Sequence, residues 1–270
     1  RREKSFFPAC GEAARVVTIR SGAALVCARP HTLPVAIIQV VVVLPTYNER
    51  ENIGPLLAAL DAVFAALPHA MRALVVDDHS PDGTAAEVRT LAARYRWLSL
   101  IEGKKAGLGA AYVRGMRHAL DHLHADVVFE MDADFSHRPE DIPRLLAEIE
   151  RGADFVIGSR YVAGGSIPAD WGWQRRLNSR LGNFVARHVA GMHRVRDCTA
   201  GFRAIRASVL ADIDLARLKV QGYAFQVALL HAAVVGGAVV REVPVEFVDG
   251  TRGTSKLGVS DIVEFLVNAW

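Results

Sequence analysis

Cysteine is nearly missing from this sequence, with only Cys10, Cys27 and Cys198 in 270 residues and no C-x-x-C pair. So sparse and odd a set argues against a disulfide framework. The three read as reduced, inert thiols. A long apolar run is missing too. A membrane-spanning helix needs about 18 or more consecutive apolar residues. The nearest approach, Ala224 to Val240, is broken by Gln226, His231 and the pair Gly236-Gly237. It reads as a buried helix, a turn and a strand. Neither sign of charge dominates: 32 basic residues stand against 29 acidic, for a net charge of +3. That balance leaves no footprint for nucleic acid, and no nucleic-acid partner is expected.

What is present is globular: 51% hydrophobic and 23% charged residues, enough for a sizeable core. Residues 1–34 show no sustained period and no apolar segment suited to a signal peptide. They are expected to be a poorly ordered extension, with the folded domain over 35–270. From Ile37 the chain alternates. Apolar runs at 37–44, 73–76, 98–101, 127–131 and 155–157 read as strands, the first buried on both faces. Helical spacing covers roughly 52–67, 84–95, 108–120 and 139–150 between them. This β-α-β-α order predicts an α/β domain, a mostly parallel sheet with helices on both faces. Further on, a basic helix is expected over 171–190, a helix over 223–234 and a strand over 238–247. Val259, Ile262, Val263, Leu266, Val267 and Trp270 share one face of a terminal amphipathic helix, which would pack on the domain or lie on a membrane.

In an open parallel sheet, ligands bind beyond the carboxyl ends of the strands. Three strands here end in polar sequence: Pro45-Thr46-Tyr47-Asn48-Glu49, Asp77-Asp78-His79-Ser80-Pro81-Asp82-Gly83-Thr84 and Asp132-Ala133-Asp134. On extended chain, residues i and i+2 point the same way. Asp132 and Asp134 therefore face one point and suit a hard cation that also binds substrate phosphates.

These motifs occur in one order with Gly107-Leu108-Gly109, Gly158-Ser159-Arg160-Tyr161 and Gly201-Phe202-Arg203-Ala204. Together they resemble the dolichol-phosphate mannosyltransferase group, also called polyprenol monophosphomannose synthases, of the inverting glycosyltransferase family 2. The resemblance spans about residues 38–270 and implies a GT-A fold. It implies that Pro45, Tyr47, Glu49, Val76 and Asp78 hold base and ribose. Asp132, Ala133 and Asp134 would meet the diphosphate. Mg²⁺ or Mn²⁺ would sit on Asp132, Asp134 and Ser136. Arg160 and Lys256 would contact phosphates. The implied donor is GDP-mannose and the implied acceptor a polyprenyl monophosphate. The implied location is the cytosolic face of a membrane, with room for a membrane-anchored partner protein. Arg175, Arg180 and Arg203, with Arg176 and Arg187, are candidates to hold the acceptor phosphate.

Three positions depart from the group. Gln221 stands where relatives often carry Lys, Ala228 where they usually carry Glu, and Gly250 where they carry Arg. Arg252, two residues on, is the expected catalytic replacement for that Arg, beside Asp134 and Arg160. The departures fall on the acceptor and closing side. They leave open a UDP-sugar donor, another acceptor, or a weakly active nucleotide-sugar-binding paralogue. A phosphotransferase with Asp132 as nucleophile would leave the Tyr47 motif unexplained. A dinucleotide enzyme would need a third glycine after Gly107-Leu108-Gly109.

Overall fold

A computed structural model describes residues 36–189, 191–218 and 222–249. The expected extension over 1–34, Arg252, Lys256, Gln221, Gly250 and the terminal amphipathic helix lie outside these residues.

The first half follows the alternation closely. The strands are β1 (Gln39–Thr46), β2 (Ala70–Asp77), β3 (Leu98–Glu102), β4 (Val127–Glu130) and β5 (Phe155–Ser159). Between them run α1 (Arg50–Ala65), α2 (Thr84–Ala92), α3 (Leu108–Asp121) and α4 (Ile142–Glu150), the last entered through a 3₁₀ turn at Pro139–Asp141. After β5 come α5 (Trp173–Val189), β6 (Arg203–Arg206), α6 (Ala207–Asp212), α7 (Gly222–Val235) and β7 (Val240–Pro244). The break at Gly236-Gly237 does separate a helix from a strand, as the composition implied.

The described strands form one seven-stranded sheet in the order β3-β2-β1-β4-β6-β5-β7. Pairing is parallel throughout except around β6, which runs antiparallel to both β4 and β5. β6 was not expected. Its four residues include two arginines and carry no strand signature. No β5–β4 pair exists among the described residues, so within the described strand ladder β6 is the link between the two halves of the sheet.

β1 is central, and its residues alternate between two cores. Val40, Val42 and Leu44 face α1, α2 and α4. Val41 and Val43 face α3 and α7. A strand covered on both faces must be apolar at every position, which accounts for its unbroken valines. α3 approaches the β1–β2 seam closely at Gly115, where a Cβ would collide with the side chains of Val43 and Val76. Chain order places β2 and β3 on one side of β1 and returns to β4 on the other. The C-terminal ends of β1 and β4 therefore flank the switch point of the sheet, where open α/β folds bind ligands.

Candidate active site

The three polar strand exits meet at that edge. Each bends through a non-glycine residue with positive φ: Asn48 after β1, His79 after β2 and Phe135 after β4. Such backbone is unfavourable for residues with a Cβ and persists where the surroundings enforce it, commonly at functional sites.

After β2, Asp77 is fully buried and braces the turn. It accepts from Thr46 Oγ1 (3.0 Å), from the Ser80 amide (2.9 Å) and from Ser80 Oγ (2.5 Å). Asp82 accepts from the amides of Arg50 and Thr84, which ties the start of α1 to the start of α2. The adjacent Asp78 has a different partner. It is ion-paired with Arg114 of α3, whose guanidinium lies where a Cβ at Gly103 would collide with it. Sequence reasoning did not single out Arg114. Across from it, Tyr47 is 41% exposed, and Lys105 Nζ sits 3.3 Å from its ring centroid, a cation–π contact on the open face.

Asp132 and Asp134 follow β4 and are both partly open, while Ala133 between them is buried in the core. The alternation is the one read from the sequence. Asp134 Oδ1 accepts from the Ser136 amide at 2.9 Å. Asp132 Oδ1 accepts from Tyr112 Oη at 3.0 Å. Burial, with Asp132 beside it, pushes the Tyr112 phenol well up, so it remains the donor. The Asp132 amide donates to His137 Nδ1 at 3.0 Å. An amide only donates, so Nδ1 accepts and the ring proton sits on Nε2, 3.9 Å from Asp132 Oδ2. Burial holds His137 below the usual histidine range, consistent with that neutral ring. Tyr112 and His137 were missed as site residues. Tyr112 fell at core spacing on α3. His137 follows the metal motif directly, and that adjacency was the available signal.

Burial raises the Asp132 carboxyl, with Asp134 adding to the shift and His137 opposing it. Glu49 is raised by burial and by the nearby charges of Asp134, Asp132 and Asp82, against a hydrogen bond from Asn52. Carboxylates crowded in this way favour a bound cation. The donor set fits a hard divalent ion. Asp132 and Asp134 offer carboxylate oxygens, and Ser136 Oγ is buried with no hydrogen-bond partner. Among the described residues, no group of three or more His, Cys, Asp or Glu could hold a metal alone.

Several expected contacts lie elsewhere. The Val76 side chain is fully buried between β1, β2 and α3, so it supports the pocket from below and does not line it. Arg203 is also corrected. It is fully buried, donates to the carbonyls of Gln226 (2.7 Å) and Cys198 (2.9 Å), and faces Glu130, its neighbour across the β4–β6 ladder. It presents no open face to a phosphate. Desolvation pushes Glu130 up to about 7.

Arg160 is 7% exposed. Its amide and Nε donate to Asp197 Oδ2 (3.0 and 2.8 Å), and its Nη2 donates to Asp197 Oδ1 (2.7 Å) and Thr199 Oγ1 (2.9 Å). It clamps the 197–199 loop. Asp197, unread in the sequence, is ion-paired with it. Arg175 is bound through both terminal nitrogens to Asp249. Arg180 is exposed, Arg176 donates to the Ala169 carbonyl and Arg187 to that of His193. Ala228 is partly buried on α7. Cys198 is a free, buried thiol pushed up to about 12 by its burial, the inert state expected of it.

Known proteins with similar sequence or shape identify the family. The family model described as Glycosyl transferase family 2 matches residues 41–214. The chain is 44% identical over 233 residues to a polyprenol monophosphomannose synthase of Mycolicibacterium smegmatis, covering 85% of each chain. It is 42% identical over 231 residues to an undecaprenyl-phosphate mannosyltransferase of Micrococcus luteus, covering 85% of this chain and 92% of that one. A dolichol-phosphate mannosyltransferase of Pyrococcus furiosus is 36% identical over 229 residues, 84% of this chain and 62% of its own. In shape, the chain resembles glucosyl-3-phosphoglycerate synthase from Mycobacterium tuberculosis in complex with Mn²⁺ and UDP-glucose. That match has a TM-score of 0.63 at 18% identity, covering 86% of this chain and 79% of that one. A likeness at that identity speaks for the GT-A fold alone. The chain belongs to glycosyl transferase family 2, as a glycosyltransferase of the polyprenol- and dolichol-phosphate mannosyltransferase group.

Proposed function

We propose that the chain transfers mannose from GDP-mannose to a polyprenyl monophosphate, with inversion and with the help of Mg²⁺ or Mn²⁺. The observation that carries this reading is the meeting of Tyr47, Asp78, Asp132 and Asp134 at the β2–β1–β4 edge, in a chain whose relatives are named for mannose and polyprenyl-type phosphates.

Each group has a task in that reaction. Tyr47 offers a ring face for the base, and Lys105, over that ring, would turn toward the diphosphate. Asp78, oriented by Arg114, accepts a hydrogen bond from the nucleoside. Asp132, Asp134 and Ser136 hold the ion, which when bound would stabilise charge developing on the departing diphosphate. Tyr112 and His137 keep Asp132 in place. Arg252 and Lys256 would close over the phosphates. The acceptor needs no general base. A phosphate monoester has a second pKa of about 6, so it is largely dianionic and nucleophilic at neutral pH. Arg175 and Arg180 remain the candidates to meet it.

The test uses radiolabelled GDP-mannose, polyprenyl phosphate in detergent and Mg²⁺ or Mn²⁺, with UDP-glucose as the competing donor. Label should enter the organic phase from GDP-mannose alone. Asp78→Ala should weaken GDP binding roughly tenfold to a hundredfold by calorimetry, the worth of one charge-assisted hydrogen bond. Preferential transfer from UDP-glucose, or unchanged GDP affinity in the variant, would overturn the donor assignment.

A further inference from the structure

Two side chains far apart in sequence fix one arginine. Trp171, just before α5, is buried. A buried indole N–H needs an acceptor. Trp171 Nε1 donates to Asp249 Oδ1 at 2.9 Å. Arg175 lies four residues on, and its side chain reaches back over the indole, with the guanidinium carbon 3.9 Å from the ring centroid. Its Nη1 donates to Asp249 Oδ2 at 2.9 Å, and its Nη2 sits 2.8 Å from Asp249 Oδ1. One flat face and the far end of the guanidinium are thus both held. Arg180, the other candidate for the acceptor, is exposed and has no such support among the described residues.

The held arginine keeps donors to spare. A guanidinium carries five N–H groups in a rigid fork. Asp249 takes the edge formed by Nη1 and Nη2. The edge that includes Nε has no partner among the described residues, and 38% of the side chain is exposed. A phosphate monoester fits such an edge through two parallel bonds. The same side chains lead to the donor site. Phe247 meets Trp171 edge-on at 5.8 Å and His137 edge-on at 6.1 Å. His137 is the ring that accepts from the Asp132 amide. One row of packed rings therefore runs from Arg175 to the strand exit that bears the two aspartates.

We propose that Trp171 and Asp249 are positioning residues for the acceptor: they hold Arg175 so that its Nε edge receives the phosphate monoester. The inference rests on the acceptor reading given above and ranks Arg175 over Arg180. It also gives the Asp249 carboxylate a task beside an anion site. An arginine ordered in advance does not have to be ordered by the substrate, and binding is tighter by that amount.

The test measures transfer in detergent with GDP-mannose and polyprenyl phosphate varied in turn. Asp249→Asn keeps an oxygen for Trp171 Nε1 and loses the charge that holds Arg175. It should raise the KM for polyprenyl phosphate about tenfold, the scale of ordering one long side chain on binding. The KM for GDP-mannose should stay as it is. Arg175→Lys should act in the same direction, because an ammonium has no forked edge. The double variant should be no worse than Arg175→Lys alone, since Asp249 acts through Arg175. An unchanged acceptor KM in Asp249→Asn would overturn the inference. A fall in that KM would also overturn it, by showing that the carboxylate competes with the phosphate. Additive effects in the double variant would do the same, by giving Asp249 a separate task. So would an equal rise in both KM values with a large fall in melting temperature, which would assign Asp249 to the fold alone. The two readings fail separately. Wild type that transfers nothing to polyprenyl phosphate removes the acceptor reading. A raised acceptor KM in Arg175→Lys with none in Asp249→Asn removes the positioning role and leaves that reading standing.

Discussion

Asp134→Asn is expected to lower mannosyl transfer about a thousandfold or more and to leave the fold unchanged. Losing a single group that stabilises charge in a transition state costs roughly a hundred- to a thousandfold, and weakening the hold on a divalent ion adds to that. The fold should survive because Asn keeps the oxygen that accepts from the Ser136 amide, so the turn after β4 stays closed. The change removes one formal charge from a cluster in which Asp132 and Glu49 are already raised by burial and by neighbouring carboxylates. Two measurements check this: kcat/KM with GDP-mannose, and a Mn²⁺ titration of the free protein followed by paramagnetic resonance. Wild-type turnover in the variant, or full turnover of wild type in excess chelator, would remove Asp134 and the ion from the reaction.

Asp197→Asn is expected to cost about 3–5 kcal/mol of stability, because it removes the buried carboxylate to which the Arg160 guanidinium donates through Nε and Nη2. In a domain of this size that corresponds to a fall of roughly 10 °C in melting temperature. The two side chains are 6% and 0% exposed, so solvent does little to screen the pair. Burial alone would push the Asp197 carboxyl up, but Arg160 outweighs it and holds the group below its ordinary 3.8. A carboxylate lowered by folding adds stability that is fully present above 3.8 and is lost as pH falls through the still lower folded value. The wild type should therefore lose this contribution in strong acid, and the Asn variant should show no such component. Thermal melts of both proteins across that range make the comparison. A variant melting within a degree or two of wild type would mean that the clamp on the 197–199 loop is not a stabilising element.

Local patterns made the first half of the sheet legible. Unbroken valines marked the doubly covered strand β1, and the i, i+2 spacing placed Asp132 and Asp134 together before any coordinates. Non-local pairing was not legible. Nothing near Arg203 shows that a four-residue strand sets it beside Glu130, so an arginine in a family motif was read as a phosphate contact. Asp197 is hidden in the basic stretch Arg194–Arg196, and only the structure gives it Arg160. Val76 follows strand parity: as a neighbour of Asp77 it points into the core beneath α3. On α5, Trp173, Leu177, Leu181 and Phe184 lie at plain helical spacing and are exposed; periodicity does not say which face turns inward. Polar Ser179 and Asn183 take that place because Tyr161 Oη offers Ser179 a hydrogen-bond partner and the 197–199 loop offers Asn183 two.

The antiparallel strand β6 also bears on the order in which the protein assembles. β3, β2, β1 and β4 lie within residues 39–130 and pair with one another. β5 is made next but finds no partner among them, and it waits until residue 206 has emerged to join through β6. Chain closure over such separations is slow compared with local pairing. A nascent chain ending near residue 200 would hold the nucleotide half as a sheet with one edge open at β4, a state prone to mispairing and to capture by chaperones. Pulse-labelled hydrogen exchange during refolding should protect β1 and β2 before β5 and β7. Simultaneous protection of all four would mean that the sheet closes as one unit, with β6 no later than the rest.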